Sequence, residues 1–387
     1  MRIEGSWLDN PKTQAIFTML KSGGHQAYFV GGCVRNALLG VATNDIDIAT
    51  DAEPTRVLAL AQENGIRAIE TGIEHGTVTL VQGKTPYEVT TFRRDVETDG
   101  RRAIVAFSTN IKDDARRRDF TMNALYADSA GTVVDPLNGL PDLLARRVRF
   151  IENAEDRIRE DYLRILRFFR FYAWYGDPNT GIDAEGLAAC SANLAGIETL
   201  ANERIGAEML KILAAADPAP AMAAMAQSGV ISALVVGMDA KTLPILIHFE
   251  TQNDVKPNPI RRLATLGGQE IEQSLRLSKR DAKQYNTLRN EIGSTSGAAA
   301  LGYRLGAGSA LDVLLLRSAV FETPPHPDAK SEVARGAAQV FNVSAADLMP
   351  NLSGAALGNA LRKLEQEWIN SDFVLSRHAL IERVKDF

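Results

Sequence analysis

The sequence predicts an α/β head, a mixed sheet with helices, followed by an extended all-α neck, body and tail. Three observations carry that expectation. Up to about residue 145, short alternating or continuous apolar runs are mixed with helical patterns. From about residue 155, helical patterns follow one another with no strand signal between them. The breaks in that second stretch are turn signals such as Asp177-Pro178, Asp217-Pro218 and Pro257-Asn258-Pro259. At 387 residues the chain exceeds one compact core. The pattern divides it into a head at 1–145, a neck at 146–215, and a body and tail at 216–387.

Composition narrows the function classes. With 45% hydrophobic and 24% charged residues the chain has ample apolar surface to fold. The longest apolar runs stop short of the roughly 20 residues that span a bilayer. The N-terminus, MRIEGSWLDNPK, lacks an apolar signal core. No membrane association and a cytoplasmic location are therefore expected. Cys33 and Cys190 make no disulfide framework, and five scattered histidines argue against a His/Cys zinc site. A net charge of -5 excludes a protein that coats nucleic acid by bulk attraction. Arginines nevertheless crowd between Arg93 and Arg170, so a polyanion would be met by one region.

Taken in order, Ala27 to Val30 is a short apolar strand stopped by Gly31-Gly32, and residues 33–39 read as a helix ended by Gly40. A glycine pair between strand and helix lets a ligand approach the backbone. The helix start then offers N–H groups and positive dipole to phosphate, and Arg35 can add charge-assisted hydrogen bonds. Read alone, the pair is more often a tight strand-to-helix corner. Asp45-Ile46-Asp47-Ile48 alternates with period two, which predicts a strand with both carboxylates on one face. Such a pair repels itself unless a cation intervenes, and oxygen-only donors favour Mg²⁺ or another hard ion. There is no GxxxxGK[ST] and no strand–GxGxxG–helix, so neither a P-loop nor a Rossmann site is indicated. Thr77 to Val81 and Tyr87 to Phe92 flank Gly83-Lys84 as a hairpin. Glu88 on its second strand is either a third carboxylate for the metal pair or an ordinary exposed glutamate.

Arg116-Arg117-Arg118-Asp119 runs into an apolar helical pattern from Phe120 to Ala127. This predicts a helix with Asp119 near its cap and Arg117 and Arg118 near its start. Across Glu160 to Arg170, helical spacing puts most apolar side chains on one side. Glu160, Arg164, Arg167 and Arg170 fall on the other, with Asp161 at the boundary. A solvated amphipathic helix would look the same. A carboxylate accepts and a guanidinium donates, however, so Asp161 and Arg164 together can imitate the edge of a complementary base.

These segments resemble, in family order, the bacterial class II tRNA nucleotidyltransferases, the CCA-adding enzymes, which share a superfamily with bacterial poly(A) polymerases. The matching segments are GGCVRNALLG with NDIDIAT, RRDFTMNAL, DPLNGLPDL, EDYLRILRFFRF and LANERIGAEMLKIL, with weaker likeness through RLSKRD and LSGAALGNALRKLEQEWI. The resemblance implies a polymerase-β-like nucleotidyltransferase head. It implies that Asp45 and Asp47 hold magnesium, that Gly32 and Arg35 meet the triphosphate, and that Arg118 contacts the nucleotide. Asp161 and Arg164 would read CTP or ATP, with Arg167 and Arg170 supporting from the same helix. Glu203-Arg204 would brace the neck, and 135–143 would link head and neck. The implied partners are the tRNA 3′ end and acceptor stem, with no obligatory protein partner. Where the family has Arg-Asp, this chain has Arg35-Asn36, which keeps a hydrogen-bonding side chain and loses a charge. The implied reaction adds C, C and A without a template. The competing readings are a poly(A) polymerase, an enzyme adding only C or only A, a small-molecule nucleotidyltransferase, and a non-catalytic RNA-binding protein.

Overall fold

Among the described residues, nine short strands arise where β-branched and aromatic residues cluster between turn residues. They are β1 (Ala27–Val30), β2 (Asp47–Thr50), β3 (Arg67–Gly72), β4 (Thr77–Gln82), β5 (Thr85–Thr91), β6 (Arg93–Asp99), β7 (Arg102–Phe107), β8 (Tyr126–Ala127) and β9 (Val133–Val134). In this computed structural model, residues 1–43, 45–99, 102–349 and 352–386 are described, with backbone alone at 95–99, 102–105 and 385–386. Asn44, part of the NDIDIAT segment, lies outside the described residues. Seven strands form one sheet in the order β3-β4-β5-β2-β1-β8-β9, and β6 and β7 form a separate ribbon. The β2–β5 pair is parallel and the other pairs in the large sheet are antiparallel, so the sheet is mixed. The expected hairpin is β4–β5, with Gln82 opposite Thr85.

Helices α1 (Pro11–Ser22), α2 (Gly32–Leu38), α3 (Pro54–Glu63) and α4 (Ile111–Arg116) belong to the head. The turn from β1 into α2 depends on Gly31, whose φ of 69° and ψ of -118° suit a residue without Cβ. The helix expected over 120–127 is not formed. A three-residue 3₁₀ turn at Thr121–Asn123 leads into β8, which pairs with β1. Every residue from 120 to 127 is buried, so the apolar run reflects enclosure on all sides rather than one helical face.

Helix α5 (Leu140–Leu144) ends the stretch expected as head, and α6 (Ala154–Glu160), α7 (Leu163–Tyr175), α8 (Ala184–Ala192) and α9 (Asn202–Leu213) fall in the stretch expected as neck. Phe120 packs against Phe150, Phe168 and Phe171, with ring centroids 5.0, 6.3 and 4.8 Å away. The head is thereby joined to α7 by continuous apolar packing. Accordingly, residues 1–238 with 268–276 form one compact unit, which contains both head and neck. Residues 239–267 with 277–387 form the other.

The second unit is helical. A charged cluster lies at its centre: Glu250 accepts from both Arg261 and Arg262, and Arg261 also donates to Asp312 at 2.5 Å. Nearer the C-terminus, Leu364, Trp368 and Leu380 close a separate apolar cluster. The helix Ala298–Val320 is long and apolar enough by length and composition to cross a membrane, which apolar run length did not anticipate. Small and apolar residues between Arg304, Asp312 and Arg317 raise its mean hydropathy. It buries Leu301, Val313, Leu315, Leu316 and the ion-paired Asp312, and its backbone leaves helical geometry at Gly306.

Candidate active site

Asp47 is the first residue of β2, and Asp45 lies just ahead of the strand, where the sequence predicts a strand already begun. The two are staggered by the chain's entry into the sheet. Asp45 is exposed and Asp47 half-buried. The parallel β2–β5 register sets Glu88 beside Asp47. Burial first, then the charges of Glu88 and Asp45, push the Asp47 carboxyl up to about 6, while Arg118 opposes them. The donors are all carboxylate oxygens crowded at one partly dry position, which fits a hard divalent ion. Among the described residues no group of three His, Cys, Asp or Glu side chains is close enough to hold an ion alone. An ion at Asp45 and Asp47 would therefore take further oxygens from water or substrate phosphates.

The glycine corner stands beside this cluster. A Cβ at Gly32 would meet only the Arg35 guanidinium, at 3.8 Å, so the backbone there is open. At Gly31 the nearest group is Arg118 Nη1, 3.5 Å from where a Cβ would stand. Arg118 is held from its other atoms: Nη2 donates to Asp114 Oδ2 at 2.8 Å, and Nε donates to the Tyr126 hydroxyl at 3.2 Å. Tyr126 donates in turn to Asp114 at 2.7 Å, and Arg117 binds the other carboxylate oxygen. Burial alone would raise Asp114, yet Arg118 and Arg117 hold it well below the usual carboxylate range. Arg117 and Arg118 thus follow the C-terminal end of α4 rather than opening a helix, and they fold back onto the buried aspartate one turn earlier. Cations are favourable at that helix end.

Arg35 is almost fully buried. It donates to Asn123 Oδ1, to Asn36 Oδ1 at 3.1 Å and to the Tyr175 hydroxyl at 2.8 Å, and it lies 4.1 Å from the Tyr175 ring centroid. Burial lowers its pKa, with Tyr175 and Asp119 opposing. Asn36 also donates to Ala42 O at 3.1 Å, which ties α2 to the segment leading toward Asp45.

The chain breaks helical geometry at Asp161, between α6 and α7, so Asp161 and Arg164 do not share one continuous helix as their spacing predicts. Asp161 acts as a cap: Oδ1 accepts from Leu163 N at 3.1 Å, and Oδ2 accepts from Arg204 at 2.7 Å. That second bond is a brace from α9. Arg164 pairs with Glu160 and donates to the Arg157 and Arg117 carbonyls. Arg167 pairs with Asp119, and Arg170 lies 2.9 Å from Glu208. Sequence spacing sets Glu160 on the same face as Arg164, but it does not pair Asp119 with Arg167 or Glu208 with Arg170. Asp119 and Asn123 stand in RRDFTMNAL and Glu208 in LANERIGAEMLKIL as visible signals, whereas Tyr175 carries none.

Asp119 links the parts. It accepts from Arg167 and from Asn123 Nδ2 at 2.9 Å, and Asn123 accepts from Arg35. Burial would raise Asp119, but Arg167 and Asn123 hold it at about 2. A depressed carboxylate contributes stability in full above its unfolded pKa near 4 and loses it as pH falls to 2. This contribution is about 2 kcal/mol. In an acid titration of thermal stability, Asp119→Asn is expected to melt earlier at pH 7 and to lose less than the parent between pH 4 and pH 2.

Fold and site define a nucleotidyltransferase head with a helical continuation. The family described as "Poly A polymerase head domain" matches residues 27–149, and "Probable RNA and SrmB- binding site of polymerase A" matches 181–241. The chain is 39% identical over 281 residues to the human mitochondrial CCA tRNA nucleotidyltransferase 1, covering 66% of this chain and 65% of that protein. It is 46% identical over 203 residues to the CCA-adding enzyme of Oceanobacillus iheyensis, covering 52% and 49%. Thus the chain spans about half to two thirds of these relatives' length. The Bacillus stearothermophilus CCA-adding enzyme, solved with CTP, superposes with a TM-score of 0.73 at 25% identity, covering 97% of this chain and 98% of that one. Residues 27–149 thus match a poly(A) polymerase head, a nucleotidyltransferase type that uses divalent metal, and the chain is similar to the tRNA nucleotidyltransferases just named.

Proposed function

We propose that this protein adds C, C and A to the 3′ end of tRNA without a template, consuming CTP and ATP and releasing pyrophosphate. The observation that carries this reading is the meeting of the Asp47 carboxylate cluster, the open Gly31-Gly32 backbone and Arg118 in the unit that also holds Asp161 and Arg164. The named relatives support the choice of tRNA and of the two nucleotides.

Asp45 and Asp47 would hold Mg²⁺, with Glu88 beside Asp47 adding negative charge rather than a third ligand. Bound there, the metal supplies positive charge that acidifies the RNA 3′-hydroxyl and stabilises the triphosphate. The chain's own groups position the reactants. The Gly31-Gly32 backbone and Arg118 Nη1 bind the triphosphate, and Arg35 supports them from beneath. Asp161 accepts from, and Arg164 donates to, the Watson–Crick edge of the incoming base. To do so they give up Arg204 and Glu160 as partners, so reading is an exchange of hydrogen bonds. Arg167 and Arg170 support the same nucleotide from α7. The acceptor stem is held by helices after residue 216 through A-form shape and backbone. Cytoplasmic residence belongs to the same reading, supported by two free, buried cysteines.

The test is to incubate the full chain with tRNA lacking its 3′ CCA and all four nucleotides, then sequence the product. Addition of CCA followed by a stop is expected. A lengthening A tract would mark a poly(A) polymerase, and no addition would overturn the reading. Arg164→Ala is expected to lower the preference for CTP and ATP over UTP and GTP by about 5- to 150-fold, the value of one bidentate contact. Single-turnover incorporation of each nucleotide measures it, and an unchanged preference removes Arg164 from the reader.

A further inference from the structure

A cavity of about 290 Å³ lies beside the site, lined by Arg35, Arg170, Phe171, Trp174, Tyr175 and Lys211. Its composition is unusual for this chain, in which aromatics are only 6% of residues. Three aromatic rings from the last turns of α7 meet three cations from α2, α7 and α9. Trp174 is 48% exposed, yet it is fixed in place, because its indole Nε1 donates to Lys211 O at 2.8 Å. One face of Tyr175 is covered by Arg35, and Arg170 lies 5.0 Å from the Phe171 centroid. Trp174 is the large ring left with accessible surface.

Most hydrogen-bonding groups around this cavity are engaged, while Arg170 Nε faces Glu208 Oε2 as an ion pair at 2.9 Å with no hydrogen bond between them. The Trp174 N–H goes to Lys211 O, the Tyr175 hydroxyl accepts from Arg35, and Glu208 is shared by Arg170 and Lys211. What remains is a π face and positive charge. Such a site takes a nucleobase by stacking and its phosphate by charge, with little preference among the bases. Arg35 is also the group nearest the open backbone of Gly32, so it forms a wall shared by this cavity and the glycine corner.

We propose that this cavity seats the unpaired terminal base of the RNA 3′ end, with Trp174 as its stacking platform. The inference rests on the reaction proposed above and adds to it a place for the primer. A 3′ end extended by C, C and A presents a different terminal base at each addition. Its seat must therefore hold any base, whereas the incoming nucleotide needs a reader. Asp161 supplies an acceptor and Arg164 a donor for reading, whereas the Trp174 cavity offers a π face and cations but no free carboxylate acceptor.

The test compares the parent chain with Trp174→Ala and Trp174→Phe, on an acceptor-stem RNA with one unpaired 3′ nucleotide and on the same RNA with that nucleotide abasic. Binding is read by anisotropy of labelled RNA, and KM is read separately for RNA and for CTP. Trp174→Ala is expected to weaken binding of the intact RNA roughly 5- to 150-fold. It should bind the abasic RNA as the parent does, and the loss should fall on the KM of the RNA. Trp174→Phe keeps the ring and is expected to restore most of the affinity. Three results would overturn the proposal: a loss confined to CTP, an equal loss for intact and abasic RNA, or a phenylalanine variant as poor as alanine. Because RNA binding is measured without turnover, failure of nucleotide addition would sink the proposed function while leaving this binding result separately legible.

Discussion

Asp47→Ala is expected to abolish nucleotide addition, by far more than the 10–100-fold lost when a partner behind a metal ligand is removed. The fold should survive, and in the absence of divalent ions it should become more stable. The reason is electrostatic: Asp47 is half-buried beside Glu88 and Asp45, and its carboxyl stands at about 6 in the folded chain. A carboxyl raised above its unfolded value costs stability once it ionises. The ion-free protein is therefore expected to lose stability as pH rises from about 4 through 6, with the full penalty present above that range. Asp47→Asn removes the charge and should recover roughly 1–3 kcal/mol at pH 8. Adding Mg²⁺ should raise the melting temperature of the parent and leave that of Asp47→Asn nearly unmoved. Near-normal turnover by either variant would refute the assignment of Asp47 to the metal.

The second large effect concerns stability alone. Glu250 is 2% exposed and holds two equally buried guanidiniums, Arg261 and Arg262. Its removal takes the shared carboxylate from both guanidiniums in a dry interior, leaving Asp312 on Arg261 alone. Glu250→Ala is expected to cost about 3–5 kcal/mol, read as a lower denaturant midpoint for the helical second unit. Replacing Glu250, Arg261 and Arg262 together by leucine and methionine should recover most of the loss, because well-packed apolar groups can substitute for a buried ionic set. If the single variant were neutral, the cluster would not be as dry as its exposure shows.

The local signals along the chain were legible where one physical rule decided them. Alternation and flanking glycines placed β1, the β4–β5 hairpin and the start of α2 close to their observed bounds. Proline-marked breaks placed the helices of the second half. Reading failed where enclosure replaced periodicity, as at 120–127, which is buried on all sides and becomes a turn and a strand. It failed again at Asp161, where capping of α7 ends a pattern that continues in sequence but not in backbone. The basic triplet was read at the wrong end of a helix, because its partner, Asp114, precedes it in a segment with little periodic signal.

Residue types and their order along the chain therefore sufficed for the chemistry on offer: oxygen donors, an open backbone corner and a carboxylate–guanidinium pair. Those are properties each residue carries before folding. Which arginines are spoken for was decided only in three dimensions. Arg167 on Asp119, Arg164 on Glu160, Arg170 beside Glu208 and Arg35 on Tyr175 are selected by packing, since an ion pair depends on distance and dielectric. The exposed ring of Trp174 among those cations has the same origin, because neighbours from α2 and α9 are brought to α7 only when the core closes.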